Sequence, residues 1–265
     1  MRVACLQLDP RVGQFEENRE GAYALVQQAA RAGAELALLP EMWPTSFCAE
    51  VDAPVWAASE TSLEAARGWT REFGLSLAGS AYGPGTGGRP SNRFHYLEDG
   101  VEVGGYDKGH LFSPTAEHLS FTAGDAPPEV IPSRFGPLHG IVCYDLRFPH
   151  WVRPAQRAGS RVMLVVAQWP HPRAAQWRGL VIGRAIEGQC YVVACNRRGS
   201  ERIGRRQMAL DFPGASLIVD PLGNVLAEGS DEDPMIQAEL DLELVAQVRK
   251  AVPVFRDERQ GRGNV

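Results

Sequence analysis

Leu138-His139-Gly140-Ile141-Val142-Cys143-Tyr144-Asp145-Leu146-Arg147-Phe148-Pro149 passes from an apolar run through a polar turn to a proline. Leu138–Cys143 reads as a strand, and Pro149 suits the first turn of a helix expected to reach Ala158. Arg161–Ala167 follows as a buried, β-branched strand, Ala174–Gln189 as a helix and Cys190–Asn196 as another strand. The first half has the same grammar: strand Val3–Leu8, helix Glu16–Arg31, strand Glu35–Leu39, helix Ser62–Phe73 and strand Ser76–Ala81. Strands alternating with helices predict an α/β fold with parallel pairing. Arg93–Leu97 and Val101–Tyr106 flank an Asp99-Gly100 hairpin signal, and Ser216–Val219 and Val225–Ala227 flank a second turn, so the sheets are expected to be mixed. Met235–Leu240 alternates in strand fashion, Gly83–Pro90 reads as a loop, and the polar stretch from Arg256 reads as a loose arm. No linker or short-period repeat divides the chain; one domain is expected over residues 1–253, with a polar tail over 254–265.

Composition excludes several classes. The 265 residues are 44% hydrophobic and 22% charged, values of an ordinary globular chain. With 27 basic against 32 acidic side chains the formal charge is −5, which offers no general attraction to nucleic acid or anionic lipid. The longest strongly apolar run, Val162–Ala167, falls far short of the ~20 residues of a spanning helix. Gln7 and Asp9 interrupt any secretory apolar segment. Five scattered cysteines form no disulfide framework, so a cytoplasmic location is expected. Gly83-Pro84-Gly85-Thr86-Gly87-Gly88 fits a dinucleotide fingerprint in letters, yet strand-like residues rather than a helix follow it. Metal-binding spacings and the serine-hydrolase motif are missing. Arg197, Arg198, Arg202, Arg205 and Arg206 crowd one segment, read as a solvated turn.

Cys143 stands at the carboxyl end of a strand just before a helix, where α/β proteins place their sites. A free cysteine is as often a small core hydrophobe, and position alone leaves the two readings level. Leu36-Ala37-Leu38-Leu39-Pro40-Glu41 ends in a carboxylate, and Val103-Gly104-Gly105-Tyr106-Asp107-Lys108 ends in an amine. Singly these are ordinary surface charges; three strand ends bearing an acid, an amine and a thiol are a more pointed set.

These segments resemble the motifs of the nitrilase, or carbon–nitrogen hydrolase, superfamily. The resemblance rests on Leu39-Pro40-Glu41-Met42-Trp43, Tyr106-Asp107-Lys108-Gly109-His110-Leu111-Phe112, Ala116-Glu117-His118, Phe121–Asp125 and Cys143–Pro149. It continues through Trp169-Pro170, Arg184–Val192 and Asn196-Arg197, covering nearly the whole chain. Trp169-Pro170-His171-Pro172-Arg173 and the Cys143 motif are similar to the ω-amidase branch, whose members hydrolyse the terminal amide of 2-oxo acid amides such as 2-oxoglutaramate. Gln168 and Gly188 depart from that pattern, since Asn is common at both positions.

The resemblance implies a four-layer αββα sandwich of two mixed sheets, a homodimer, and a small-molecule amide as substrate, with neither cofactor nor metal. It implies Cys143 as nucleophile and Glu41 as general base. Lys108 and the Tyr144 backbone N–H are implied as oxyanion donors, and Glu117 as the residue orienting Lys108 and Glu41. A thiolate attacks an amide well but needs a base, and a buried carboxylate can serve because burial raises carboxyl pKa values. A 2-oxo acid amide also carries a carboxylate, which a bidentate guanidinium suits; Arg173 is the candidate, with Phe121 and Trp169 as pocket walls. The alternatives are another branch of the superfamily (deaminated-glutathione amidase, N-carbamoyl hydrolase, aliphatic amidase or nitrilase), a catalytically silent binding module and, distantly, a nucleotide-binding oxidoreductase.

Overall fold

The computed structural model describes residues 1–258. The first half contains β1 (Arg2–Leu6), α1 (Phe15–Arg31), β2 (Leu36–Leu38), α2 (Ala53–Phe73), β3 (Ser76–Thr86), β4 (Arg89–Glu98) and β5 (Val101–Asp107). Then come β6 (Ile131–Ser133), β7 (Gly136–Val142), α3 (Pro149–Arg157), β8 (Val162–Ala167), α4 (Ala174–Gly188) and β9 (Tyr191–Asn196). The chain continues with β10 (Arg198–Ile203), β11 (Met208–Pro213), β12 (Leu217–Val219), β13 (Val225–Glu228), β14 (Met235–Glu239), α5 (Glu243–Ala251) and α6 (Val254–Asp257).

Two six-stranded sheets result, ordered β14-β1-β2-β3-β4-β5 and β13-β12-β9-β8-β7-β6. Both are mixed: β1, β2 and β3 are parallel with antiparallel flanks, as are β7, β8 and β9. β1 shows how strand alternation builds the layers. Val3 and Cys5 join the core shared with the other sheet, while Ala4 and Leu6 pack with Ala22, Val26 and Ala29 of α1. The strands of β7–β9 are buried on both faces, because α4 covers the side away from the first sheet. The layers are therefore helix, sheet, sheet, helix, as expected. The parallel arrangement brings the carboxyl ends of β2, β7, β8 and β9 to one edge of the sandwich.

Some boundaries differ from expectation. α2 begins at Ala53 rather than Ser62, because Asp52 caps it by accepting from the Val55 N–H at 3.1 Å and Pro54 suits its first turn. Gly83–Pro90 is mostly strand: β3 and β4 stay paired to Thr86 and Arg89, and only Gly87 and Gly88, at positive φ, make the turn. The arginine-rich segment forms the β10–β11 hairpin: Arg198 and Arg202 are on its first strand, and Arg205 and Arg206 are exposed in its turn. β6 and α5 were not expected. Of the stretch read as a tail, Val254–Asp257 is helical and Phe255 lies under Arg153 and Arg249, while Glu258 pairs with Arg153 and Arg157 at 3.1 and 3.0 Å. The rest of that tail lies outside the described residues. No helix among the described residues is long and apolar enough to cross a membrane.

Candidate active site

β7 ends at Val142, and Cys143 opens a single 3₁₀ turn that leads to α3. Cys143 sits at φ +45°, a left-handed conformation that costs a non-glycine residue ~1–2 kcal/mol and persists only where its surroundings enforce it. Asp145, two residues on, is fully buried in the same turn. It accepts from the His110 backbone N–H at 2.9 Å and from the Tyr106 hydroxyl at 3.0 Å, and it lies 2.8 Å from His110 Nδ1. The thiol turn is thus tied to the segment that carries Lys108.

Lys108 follows β5 directly, Glu41 follows β2, and Glu117 opens a short 3₁₀ turn. Lys108 Nζ donates to Glu41 Oε1 at 2.8 Å and to Glu117 Oε1 and Oε2 at 2.9 and 2.8 Å. All three side chains are about 1% exposed. Asn92 on β4 donates its amide to Glu41 Oε1 at 2.9 Å and lies 3.4 Å from Glu117 Oε1. The Gln168 backbone N–H, just beyond β8, donates to Glu41 Oε2 at 2.9 Å.

Two carboxylates around one ammonium leave a surplus negative charge in a dry site. The titrations follow from that. Burial pushes the Cys143 thiol well above its ordinary range, the Glu41 charge adds to this, and Lys108 only partly opposes it. Burial would discharge Lys108, but Glu117 and Glu41 together hold its ammonium well above the usual lysine range. Burial lifts the Glu117 carboxyl, with Lys108 opposing and Glu41 assisting. The resting sulfur is therefore a thiol beside a lysine that stays charged.

These groups form the floor of a cavity of ≈ 430 Å³, its open mouth included. Phe47, Phe112, Trp169, Ile203 and Leu210 supply apolar wall, the last two from the β10–β11 hairpin. Half-buried Arg147 and Arg173 also line it; Arg147 lies over the Trp169 ring at 4.8 Å and Arg173 over Phe112 at 5.2 Å. Neither makes an ion pair among the described residues, although Arg147 donates to the Gln176 side-chain carbonyl, so neither guanidinium charge is neutralised by a protein carboxylate.

The structure brings together Glu41, Lys108, Glu117, Cys143, Tyr144, Trp169 and Arg173. Phe121, expected in the wall, is instead core behind it: its ring stacks on Tyr82 at 5.6 Å and meets Phe47 edge-on at 5.9 Å. Arg197, expected in a solvated turn, is fully buried, because Asp9, Ser46, Gln168 and Glu201 all accept from its guanidinium. Asn92, Gln168 and Arg147 were not singled out as site residues. Arg147 had a signal, since it lies within the quoted cysteine motif, and Gln168 had one as a departure from the family pattern just before Trp169-Pro170; Asn92 had none.

Fold and pocket define a class: αββα-sandwich enzymes with a thiol, two carboxylates and an ammonium at one end of the paired sheets. Within that class, this chain belongs to the carbon–nitrogen hydrolase family, which residues 2–250 match, and it is a hydrolase of carbon–nitrogen bonds. It is 34% identical over 266 residues to the 2-oxoglutaramate amidase of Bacillus subtilis (strain 168), covering 97% of each chain. It is likewise 34% identical over 230 residues to the omega-amidase YafV of Escherichia coli (strain K12), covering 85% of this chain and 84% of that one. Among solved structures it superposes with a TM-score of 0.81 on an amidase from Nesterenkonia sp. AN1, at 25% identity over 96% of this chain and 98% of that one. That amidase was solved as a mutant with acrylamide added to its active-site cysteine.

Proposed function

We propose that this protein is a cysteine-dependent ω-amidase, releasing ammonia from the terminal amide of a small 2-oxo acid amide such as 2-oxoglutaramate through a thioester. The observation that carries the reading is the Glu41–Lys108–Glu117 cluster set around Cys143 at the floor of a small cavity whose arginines are unpaired. A resting thiol must lose its proton as sulfur attacks the amide carbon, and in this reading Glu41 takes it; a side-chain hydrogen bond between the two supports the assignment. The tetrahedral oxyanion is held by Lys108 Nζ and the Tyr144 backbone N–H. Glu41 returns the proton to nitrogen, the C–N bond breaks, and ammonia leaves a thioester on Cys143. Water then adds to the thioester carbon, giving its proton to Glu41, and the expelled sulfur recovers that proton as the acid departs. Glu117 orients Lys108, and Arg173 with Arg147 reads the substrate carboxylate. The 2-oxoglutaramate amidase and omega-amidase relatives support this substrate class. A homodimer belongs to the same reading and is checked by light scattering.

Intact-protein mass spectrometry after brief exposure to 2-oxoglutaramate, a simple aliphatic amide, an N-carbamoyl acid and a nitrile tests it. The expected result is an acyl adduct from the 2-oxo acid amide, located on the Cys143 peptide and absent from Cys143→Ala. An adduct on another residue, or ammonia release that survives Cys143→Ala, overturns the mechanism; turnover of only the other substrates overturns the substrate class.

A further inference from the structure

We propose that Gln168 is a positioning residue for Glu41, and that the buried Arg197 guanidinium fixes the orientation of its side-chain amide. The inference rests on the reading of Glu41 as general base. Gln168 grips Glu41 twice: its backbone N–H donates to Oε2 at 2.9 Å, and its side-chain Nε2 donates to the Glu41 carbonyl, also at 2.9 Å. On the other side Arg197 Nη1 donates to Gln168 Oε1 at 3.0 Å. A guanidinium has no acceptor, so only the oxygen of the amide can face Arg197, and the NH₂ is thereby forced toward the Glu41 carbonyl. The anchor itself is over-determined. Arg197 also donates to Ser46 Oγ at 3.1 Å, Glu201 Oε2 at 3.1 Å and Asp9 Oδ1 at 2.7 Å, and it lies over the Phe212 ring at 4.4 Å.

The division of contacts on the carboxylate gives this grip its purpose. Oε1 of Glu41 accepts from both Lys108 and Asn92, which occupies its two lone-pair directions. Oε2 accepts the Gln168 N–H and neither Lys108 nor Asn92, so Oε2 is the oxygen with a site free for the proton of the Cys143 thiol, which also hydrogen-bonds to this carboxylate. Its aim depends on where the Gln168 backbone stands, and the side-chain amide pins that backbone to the Glu41 main chain. A fixed base matters because misplacing a reacting group by ~1 Å costs roughly 10²-fold in rate.

Gln168→Met keeps side-chain length and removes the amide. Three readouts test the idea: steady-state ammonia release, its pH profile, and the pH-dependent rate at which iodoacetamide alkylates Cys143, located by peptide mass spectrometry. The expectation is a fall in kcat of about tenfold to 10²-fold with KM changed by less than about twofold, and an altered acidic limb of the kcat/KM profile. Alkylation slows to match. In a Glu41→Gln background, adding Gln168→Met slows alkylation no further, because one acts through the other. If Gln168→Met does not fold, Gln168→Leu, which also lacks the amide, is read the same way. Wild-type kcat and pH profile, or losses that add fully to those of Glu41→Gln, overturn the positioning role while leaving Glu41 as base. A Glu41→Gln variant with full activity removes the base reading instead, and this inference with it.

Discussion

Replacing Lys108 by Met keeps most of the side chain's bulk and removes its charge. Lys108 donates to Glu41 at 2.8 Å and to Glu117 at 2.8 Å, and all three groups are shut off from water. Breaking a buried ion pair by deleting one partner typically costs ~3–5 kcal/mol, because the remaining charge has nowhere to go. Here the escape is protonation, and Glu117 is the carboxyl to take it, since burial already raises its affinity for a proton. Drawing a proton from pH 7 onto a carboxyl of ordinary pKa costs roughly 4 kcal/mol, but only roughly 1 kcal/mol from pH 5. A carboxyl whose folded-state pKa is raised contributes stability at low pH and loses it as pH climbs through the folded value. The stability gap between wild type and Lys108→Met is therefore widest at pH 7 and closes as pH falls.

Scanning calorimetry of both proteins from pH 5 to pH 8 measures that gap, and other acid-sensitive groups cancel in the difference. The gap is expected to shrink by roughly 3 kcal/mol between pH 7 and pH 5. Ammonia release from Lys108→Met falls by ~10²–10³-fold, the usual cost of losing one oxyanion donor, and stays low at pH 5 because acid restores stability and not the donor. A gap that is flat or widens on acidification refutes the charge inventory. Activity within about tenfold of wild type refutes the role given to the ammonium.

Cys143→Gly should be more stable than Cys143→Ala by roughly 1 kcal/mol in denaturant titrations, both inactive, because only glycine relaxes at φ +45°; equal midpoints would mean that the turn stores no strain. His139 is buried, bonded through Nδ1 to Ser160, and burial depresses its pKa to about 3. The unfolded chain therefore binds a proton below pH ~6.5 that the folded one refuses, and stability falls with acid by up to ~1.4 kcal/mol per pH unit. His139→Gln should lack this component; parallel stability–pH curves for the two proteins would exclude it. Arg147→Gln and Arg173→Gln are each expected to raise KM for a carboxylated amide by about tenfold or more and to spare a neutral amide. Equal losses on both substrates would make these arginines structural.

Much of this site was legible because its three chemical groups follow strand-like segments, two of them apolar runs. Leu36–Leu39 before Glu41, Gly140–Val142 before Cys143 and the β5 residues before Lys108 mark strands, and parallel strands deliver their carboxyl ends to one edge. The start of α2 was missed, although Asp52-Ala53-Pro54 places an N-cap before a proline. The β10–β11 hairpin was harder to see because much of it is partly exposed, with Ile203 and Phe212 its buried side chains. Phe121 shows the opposite error: an aromatic beside site residues is core whenever other rings close over it.

Asn92, Gln168 and Arg197 were hidden for a deeper reason. A neutral amide at a strand position carries no mark of what it faces, and Asn92 matters only because the fold aims it at two carboxylates. An arginine is ambiguous in the same way. Desolvating it is costly unless acceptors replace the lost water, so whether it lies in solvent or in the core depends on how many arrive. For Arg197 they come from residues 9, 46, 168 and 201, the first of them 188 positions away along the chain. Its neighbours Arg202, Arg205 and Arg206 lack such a set and stay toward solvent, although the letters around them look alike. Two marks separate Arg197 from them: it directly follows the wholly buried β9, and it belongs to the Asn196-Arg197 pair of the family resemblance. The buried charges of this protein are specified by long-range convergence, which is why the thiol, carboxylates and ammonium of the site were easier to find than the amides and the guanidinium packed behind them.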